Sequence, residues 1–272
     1  MLTGSMTVFD RTPLGALGLA LLVAMVLAYL GGARLHAWLE RTEAAAPGTA
    51  APDQGIRRSD QGAVLSGVFG LLALLMAFAF SLAIGRYEHR RQLALDEANA
   101  FGTMASRLGL LDEAQRAPLA RLLGTYARAR AEAGRVPDDA EWEAAVGRAA
   151  TLGTLFGDHL IGTLRTMPPD TRGPVLVSAW NSLGDIATAR HAERSARLPA
   201  EVLMLLALYC CAGAGILGYG PDASSRRHAA AALALFVLLC AAYVTVLDLD
   251  RPRAGAIVVP QGELDTVAAA LP

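Results

Sequence analysis

Arginines that could bind or attract anions stand at the end of a long apolar run. The stretch is LLALLMAFAFSLAIGRYEHRRQLALDEANAFG, residues 71–102, where the apolar part passes into charge without a turn signal. Its arginines are Arg86, Arg90 and Arg91, and the acids Asp96 and Glu97 follow. A guanidinium group holds carboxylates and phosphates in a rigid fork, and a cluster of them raises the local concentration of anions. Membrane orientation alone would require the same cluster, so both interpretations stay open.

Two further acids, Asp248 and Asp250, follow the last apolar run at once in the motif LDLDRPRAG, where Pro252 should end the helix. Clustered carboxylate oxygens suit hard cations such as Ca²⁺. The alternative is an ion pair with Arg251, Arg253 or the arginines after the second run. The motif lacks a run of consecutive acids, so we predict ion pairs and no metal site.

Histidines beside carboxylates are the remaining candidates for catalysis. His159 follows Asp158, and His191 stands near Glu193. Adjacent residues on a helix point about 100° apart, so Asp158 is poorly placed to orient His159. The sequence has no HExxH, GxSxG, phosphate-loop or dinucleotide motif. We therefore predict no enzymatic activity and no cofactor.

Composition points to the membrane. The chain has 272 residues, of which 54% are hydrophobic, and its mean hydropathy is +0.38. The formal net charge of −1 gives no reason to expect a nucleic-acid partner. All 24 cationic residues are Arg, which fits anion handling and fits GC-rich coding equally well. The three cysteines lie in apolar runs without ligand spacing and are expected to be core residues.

Four uncharged apolar runs are each near the roughly 20 residues that a membrane-spanning helix needs. The predicted organisation is an N-terminal segment (1–13), spans at 14–32, 62–84, 202–219 and 229–247, a flexible linker (33–61), a helical domain (86–199) and a C-terminal tail (248–272). The first run also resembles a secretory signal, but its length and the pairing of Arg11 with Asp10 favour a retained span.

The arginines near the span ends predict the orientation. Nine lie on the side of the termini and residues 86–199, and six lie on the other side. The nine are Arg11, Arg86, Arg90, Arg91, Arg190, Arg194, Arg197, Arg251 and Arg253, and the six are Arg34, Arg41, Arg57, Arg58, Arg226 and Arg227. By the positive-inside rule, both termini and residues 86–199 are expected to be cytoplasmic.

The segment 86–199 has a helical pattern of about four helices. Its expected breaks are an N-cap at Asp112 with Pro118 near the helix start, a helix end at Gly134, an N-cap at Asp138 or Asp139, a loop at 166–174 and a last helix at 175–197. An apolar and small-residue seam continues from Phe80 to Leu108 at three- and four-residue steps. It predicts one helix of about 45 residues through the end of span two, with a turn near Gly85 as the alternative.

Three motifs together resemble a known family. They are GLLALLMAFAFSLAIGRYEHRRQLALDEANAFGT, AWNSLGDIATARHAERSARLPAEV and LDLDRPRAGAIVVPQGEL, in this order between about residues 62 and 265. This set resembles the bacterial bestrophin-like membrane protein family, a domain of unknown function. The fold class expected is an all-α membrane protein with four transmembrane helices and a helical cytoplasmic domain inserted between spans two and three.

The more distant resemblance to bestrophins proper implies a homopentamer in the bacterial inner membrane, with span two lining an axial pore for small anions. Two apolar stripes on that span could form the neck of the pore, and they are Gly70, Leu74 and Phe78, or Leu72, Met76 and Phe80. Packing against helices or lipid is the alternative for both stripes. For Arg90 or Arg91 we expect salt bridges to carboxylates of a neighbouring subunit.

Two functions follow from these observations. The first is an oligomeric anion-permeable channel, which the resemblance favours. The second is a non-conducting membrane scaffold or sensor whose helical domain binds a partner.

Overall fold

The computed structural model describes residues 12–44, 54–220, 225–251 and 255–272, and in these residues all regular structure is helical. The helices are α1 (Leu14–Ala44), α2 (Gln54–Leu108), α3 (Glu113–Ala133), α4 (Asp139–Thr166), α5 (Arg172–Ser195), α6 (Ala200–Gly218), α7 (Arg226–Asp250) and α8 (Gly262–Ala270). Four helical stretches in the described chain are long and apolar enough to cross a membrane.

The predicted linker at 33–61 is largely helical, because α1 continues to Ala44 and α2 already begins at Gln54. Residues 45–53 of that linker lie outside the described residues, as do residues 1–11 and the predicted helix stop at Pro252. The apolar runs therefore predicted helices that are long and apolar enough to cross a membrane, but α1 and α2 are both longer than the runs.

Helix α2 runs for 55 residues without a break, so the predicted continuous helix is confirmed and the alternative turn near Gly85 is wrong. Gly85 has nothing within 4 Å of the position that a Cβ would occupy, and its backbone stays helical. A single glycine costs a helix only about 1 kcal/mol, which neighbouring leucine and alanine residues easily offset.

The chain divides into two compact units. Within the described residues, the first unit contains α1, α2 up to Ile84, α6 and α7, and the second contains the rest of α2, α3, α4, α5 and α8.

In the first unit, α1 packs against both α6 and α7. Glycines make the contact of α1 with α6 close. A Cβ on Gly32 would meet the carbonyl oxygen of Gly215 and lie 2.9 Å from the nitrogen of Tyr219, and one on Gly218 would meet the backbone of Tyr29. Small residues at such positions let helix backbones approach each other in membranes.

The helices α6 and α7 are also joined by polar contacts. The Tyr243 hydroxyl donates to the carbonyl oxygen of Leu203 over 3.1 Å. Cys210 and Cys240 are buried, as expected from their place in apolar runs, whereas Cys211 is only half-buried.

The core of the second unit consists mainly of leucine and alanine, with a set of aromatic rings at its centre that contact one another. The ring of Tyr126 on α3 lies 5.1 Å from that of Phe101 on α2 and 6.2 Å from that of Trp180 on α5, and Trp180 contacts Phe156 on α4. Edge-to-face pairs of this kind add about 0.5–1.5 kcal/mol each to the burial of the rings.

Local signals placed the ends of the helices in this unit. Asp138 is the N-cap of α4, and its carboxylate accepts hydrogen bonds from Ala140 N and Glu141 N. Asp112 stands at the N-cap of α3 without a side-chain cap, and Gly134 ends that helix. The short helix α8 was missed, since residues 248–272 were expected to be a tail, and α8 packs against α3.

Candidate functional site

The face of α2 that carries Leu74 and Phe78 is exposed in the subunit. Leu74 is 52% exposed and Phe78 is 61% exposed. These residues are four apart and lie on one side of the helix. Gly70 shares this side and is also exposed. A helix face of large exposed apolar side chains normally contacts lipid, packs against another protein surface or lines a pore.

The opposite face of α2 packs inside the first unit. Leu72 is 1% exposed, and Ala79 and Ala83 are equally buried. Met76 is half-buried, and Phe80, at the edge of this face, is 39% exposed. The stripe of Leu72, Met76 and Phe80 is thus divided between the packed and the exposed side.

Small residues allow this packing. The ring of Phe69 on α2 lies 3.3 Å from the position that a Cβ would take on Gly213 of α6. Even so, the apolar part of α2 is the least buried of the four candidate spans.

The three arginines after this run point in different directions. Arg90 is buried, and its Nε donates to the carbonyl oxygen of Arg86 over 3.3 Å. Arg86 is half-buried, whereas Arg91 is exposed and lies 3.3 Å from Glu88 of its own helix. Within the chain, Arg91 thus pairs with a residue one turn earlier on α2, and a salt bridge from Arg90 or Arg91 to a neighbouring subunit stays a prediction.

Glu97 is completely buried in the second unit, between two arginines of its own chain. Its Oε1 lies 2.6 Å from Nε of Arg130 on α3, and its Oε2 pairs with Arg190 on α5. Arg190 also donates to Oε1 of Gln261 over 2.9 Å. Three helices and the segment before α8 are therefore linked through one carboxylate.

Arg130 keeps its positive charge in this cluster. Burial lowers the pKa of Arg130, but the charge of Glu97 and its hydrogen bond outweigh burial, so that the pKa of Arg130 is raised above its ordinary value. Asp96, the neighbour of Glu97, is only half-buried and accepts a hydrogen bond from Gln92 over 2.8 Å. The neighbours Asp96 and Glu97 thus differ in their contacts: Asp96 bonds within α2, whereas Glu97 joins α2 to other helices.

Asp250 holds the segment just before α6. Both its carboxylate oxygens accept from the backbone N–H of Leu198, at 3.0 and 3.1 Å. Asp248 is buried beside it, and Arg251 donates to the carbonyl oxygen of Thr12 over 2.8 Å. In the described part of the chain, no three His, Cys, Asp or Glu side chains gather as metal ligands would.

One of the two histidines considered for catalysis has a local contact. His159 is exposed, and its Nδ1 lies 2.9 Å from the carbonyl oxygen of Leu155 one turn earlier. Asp158 is exposed as well. This pair has no enclosed site in which to act.

Sequence analysis missed Arg130, Arg190 and Gln261. A signal did exist for the first two. Arg130 continues the buried series Leu123 and Ala127 at three- and four-residue steps, and Arg190 follows Leu183 by seven residues. A charge on the apolar stripe of a helix needs a buried partner.

Comparison with known proteins identifies relatives. The model of a bestrophin-like domain matches residues 43–263. A bacterial bestrophin homologue from Klebsiella pneumoniae aligns with a TM-score of 0.65 at 14% identity over 92% of this chain and 95% of that chain. A mutant of a Klebsiella pneumoniae homologue gives 0.66 at 12% identity, over 95% and 97%.

A crystal structure described only as a membrane protein gives a TM-score of 0.66 at 11% identity, over 92% of this chain and 96% of that one. No curated protein sequence matches significantly. At such identities the structural likeness shows the fold alone, so the chemistry must be argued from the residues of this chain.

Proposed function

Because the chain belongs to the bestrophin-like family of membrane proteins, we propose that it forms an oligomeric anion-permeable channel whose pore is lined by α2. The observation that carries this proposal is the exposure of Leu74 and Phe78 on one face of α2, opposite a face that is packed within the subunit. A helix placed around a central axis needs this division into a packed side and an unpartnered side.

Leu74 and Phe78 would form the apolar neck. Five copies of each, by resemblance to bestrophins, would make two rings one helical turn apart. Narrow apolar rings control ion passage by losing and regaining water. Ser81, exposed one turn beyond Phe78, would offer a first hydroxyl to the permeating ion. Leu72 is a poor candidate for this face because it is already buried inside the subunit.

The remaining parts of the proposal concern surroundings and selectivity. The channel would lie in the bacterial inner membrane with both termini and residues 86–199 in the cytoplasm, as the arginine distribution indicates. The exposed Arg91 and half-buried Arg86 would raise the concentration of small anions near the helix. No nucleic acid is expected among the partners.

Halide flux into liposomes tests the function. Purified protein is reconstituted at several protein-to-lipid ratios, with protein-free liposomes as the blank. The variants are Phe78→Ala, Phe80→Ala and the control Leu208→Ala. Leu208 is 63% exposed, which is close to the exposure of Phe78, but it lies on α6 and not on α2. We expect dose-dependent flux that Phe78→Ala increases, while Leu208→Ala leaves it near the wild-type value.

Other outcomes would redirect the proposal. Flux that changes in Phe80→Ala but not in Phe78→Ala would move the pore to the other stripe. Absence of flux above the blank, at several pH values and calcium concentrations, would argue for the membrane scaffold, with residues 86–199 as the partner-binding part.

A further inference from the structure

A cavity of about 60 Å³ in the second unit is lined by four arginines. They come from three helices and are Arg90 on α2, Arg130 on α3, and Arg190 and Arg194 on α5. Trp142 and His191 line the same cavity, with their rings stacked 5.0 Å apart. Glu193 is the one carboxylate on this wall among the described residues.

The guanidinium groups are held in place by their neighbours. Arg130 and Arg190 are fixed by Glu97 and Gln261, as described above. Arg194 contacts Asp139 over 3.1 Å, and its guanidinium carbon lies 4.3 Å above the ring of Trp142. Side chains that are already ordered lose little conformational freedom when they bind a ligand. The cavity therefore presents preorganised hydrogen-bond donors, which suit a ligand with hydrogen-bond acceptors.

The charges around the cavity favour an anion. Among the described residues that line it, four carry a guanidinium group and Glu193 carries a carboxylate. Glu97 pairs with Arg130 and Arg190, and Asp139 with Arg194. Arg90, Arg130 and Arg194 are each less than 9% exposed. Charges removed from water interact more strongly with one another. An entering anion would therefore gain attraction that a surface cluster could not supply.

We propose that this cavity binds a small oxyanion, with the guanidinium groups of Arg90, Arg130 and Arg190 as its donors. Planar forks hold carboxylate and phosphate oxygens in pairs, which a monatomic anion cannot exploit. The chemistry is shared by inorganic phosphate and by small organic carboxylates. Each subunit would carry its own site, whether or not the protein conducts ions.

Calorimetric titration of the purified full-length protein tests the site. Inorganic phosphate and succinate are titrated separately, and sodium chloride at the same ionic strength is the third arm. The variant is Arg90→Gln, which leaves the buried contacts of Glu97 with Arg130 and Arg190 in place. Its control is Arg148→Gln, an exposed arginine on α4 outside the cavity.

We expect saturable binding of phosphate, succinate or both, with one site per subunit. Arg90→Gln should weaken this binding at least tenfold, and Arg148→Gln less than twofold. Preference for phosphate would indicate a phosphate site, and preference for succinate a carboxylate site. The proposal would be overturned if sodium chloride at the same ionic strength gave the same binding heats as phosphate and succinate. It would also be overturned if Arg90→Gln and Arg148→Gln weakened anion binding equally.

Fluorescence gives a local measurement that does not depend on the stability of Arg90→Gln. Trp142 becomes the only tryptophan after Trp38→Phe and Trp180→Phe, since the chain has three. Occupation of the cavity should change its emission saturably at the same anion concentrations as in calorimetry. Unchanged emission at saturating phosphate and succinate would overturn the site, and this result is independent of the flux assay.

Discussion

Glu97 and Arg130 form a salt bridge of 2.6 Å between Oε1 and Nε, in which the carboxylate is completely buried. The two residues are 33 positions apart and join α2 to α3. In a buried ion pair each charge has lost its hydration, and the attraction between the two charges compensates for that loss. Loss of Glu97 leaves the buried guanidinium of Arg130 without its carboxylate, and loss of Arg130 leaves Glu97 with Arg190 as its remaining arginine partner.

Arg130→Gln should therefore destabilise the protein, though by less than the roughly 3–5 kcal/mol expected when a buried charge loses every partner. Chemical unfolding in detergent measures this loss. The double variant Glu97→Gln/Arg130→Gln should lose less stability than the two single variants together, since it removes both charges of the direct Glu97–Arg130 pair at once. Arg116→Gln is the control, because Arg116 pairs with Glu113 on the exposed surface of α3, where we expect a change within about 0.5 kcal/mol. Strict additivity of the two single variants would argue against direct coupling.

Structural features that depend on neighbouring residues in the chain could be predicted from the sequence. Runs of uncharged apolar residues predicted helices long and apolar enough to cross a membrane. The pair Asp138 and Asp139 predicted the start of α4, because caps involve residues two or three positions away. The partners of Glu97 were not found, since Arg190 lies 93 residues further along the chain and only the packed fold brings it near. Likewise, hydropathy identified α2 as a span, but it could not tell which of its apolar faces packs within the subunit.

The adjacent glycines Gly31 and Gly32 should respond in opposite ways to alanine. A Cβ on Gly32 would lie 2.9 Å from Tyr219 N and against the carbonyl of Gly215, and backbone of α6 cannot move away cheaply. Gly32→Ala should thus destabilise by about 1–3 kcal/mol. Gly31 has nothing within 4 Å, so Gly31→Ala should be neutral or gain up to about 1 kcal/mol of helix propensity. Thermal unfolding of both variants in the same detergent compares them, and equal melting temperatures would contradict the close contact of α1 with α6.

Replacement of Asp250 by alanine should loosen the start of α6. The N–H of Leu198 would lose its acceptor in a buried position, which costs about 1–3 kcal/mol. Asp250→Asn keeps one acceptor oxygen and should lose less. Hydrogen exchange followed by mass spectrometry should show faster exchange in the peptide containing Leu198. The exposed Glu201, in the first turn of α6, provides the control variant Glu201→Ala, and the same acceleration there would indicate a general effect of lost negative charge.

The same substitution, leucine to alanine, at Leu72 and at Leu74 distinguishes a role in packing from a role in the pore. Leu72→Ala removes a side chain that is 1% exposed, so it should cost about 2–5 kcal/mol of stability. Leu74→Ala removes a side chain that is 52% exposed, so unfolding in detergent should change far less. In liposomes the effects should reverse, because under the proposed function Leu74 narrows the apolar neck and its truncation should raise halide flux per folded protein. An increase of flux in Leu72→Ala, with Leu74→Ala unchanged, would place the pore on the opposite face of α2.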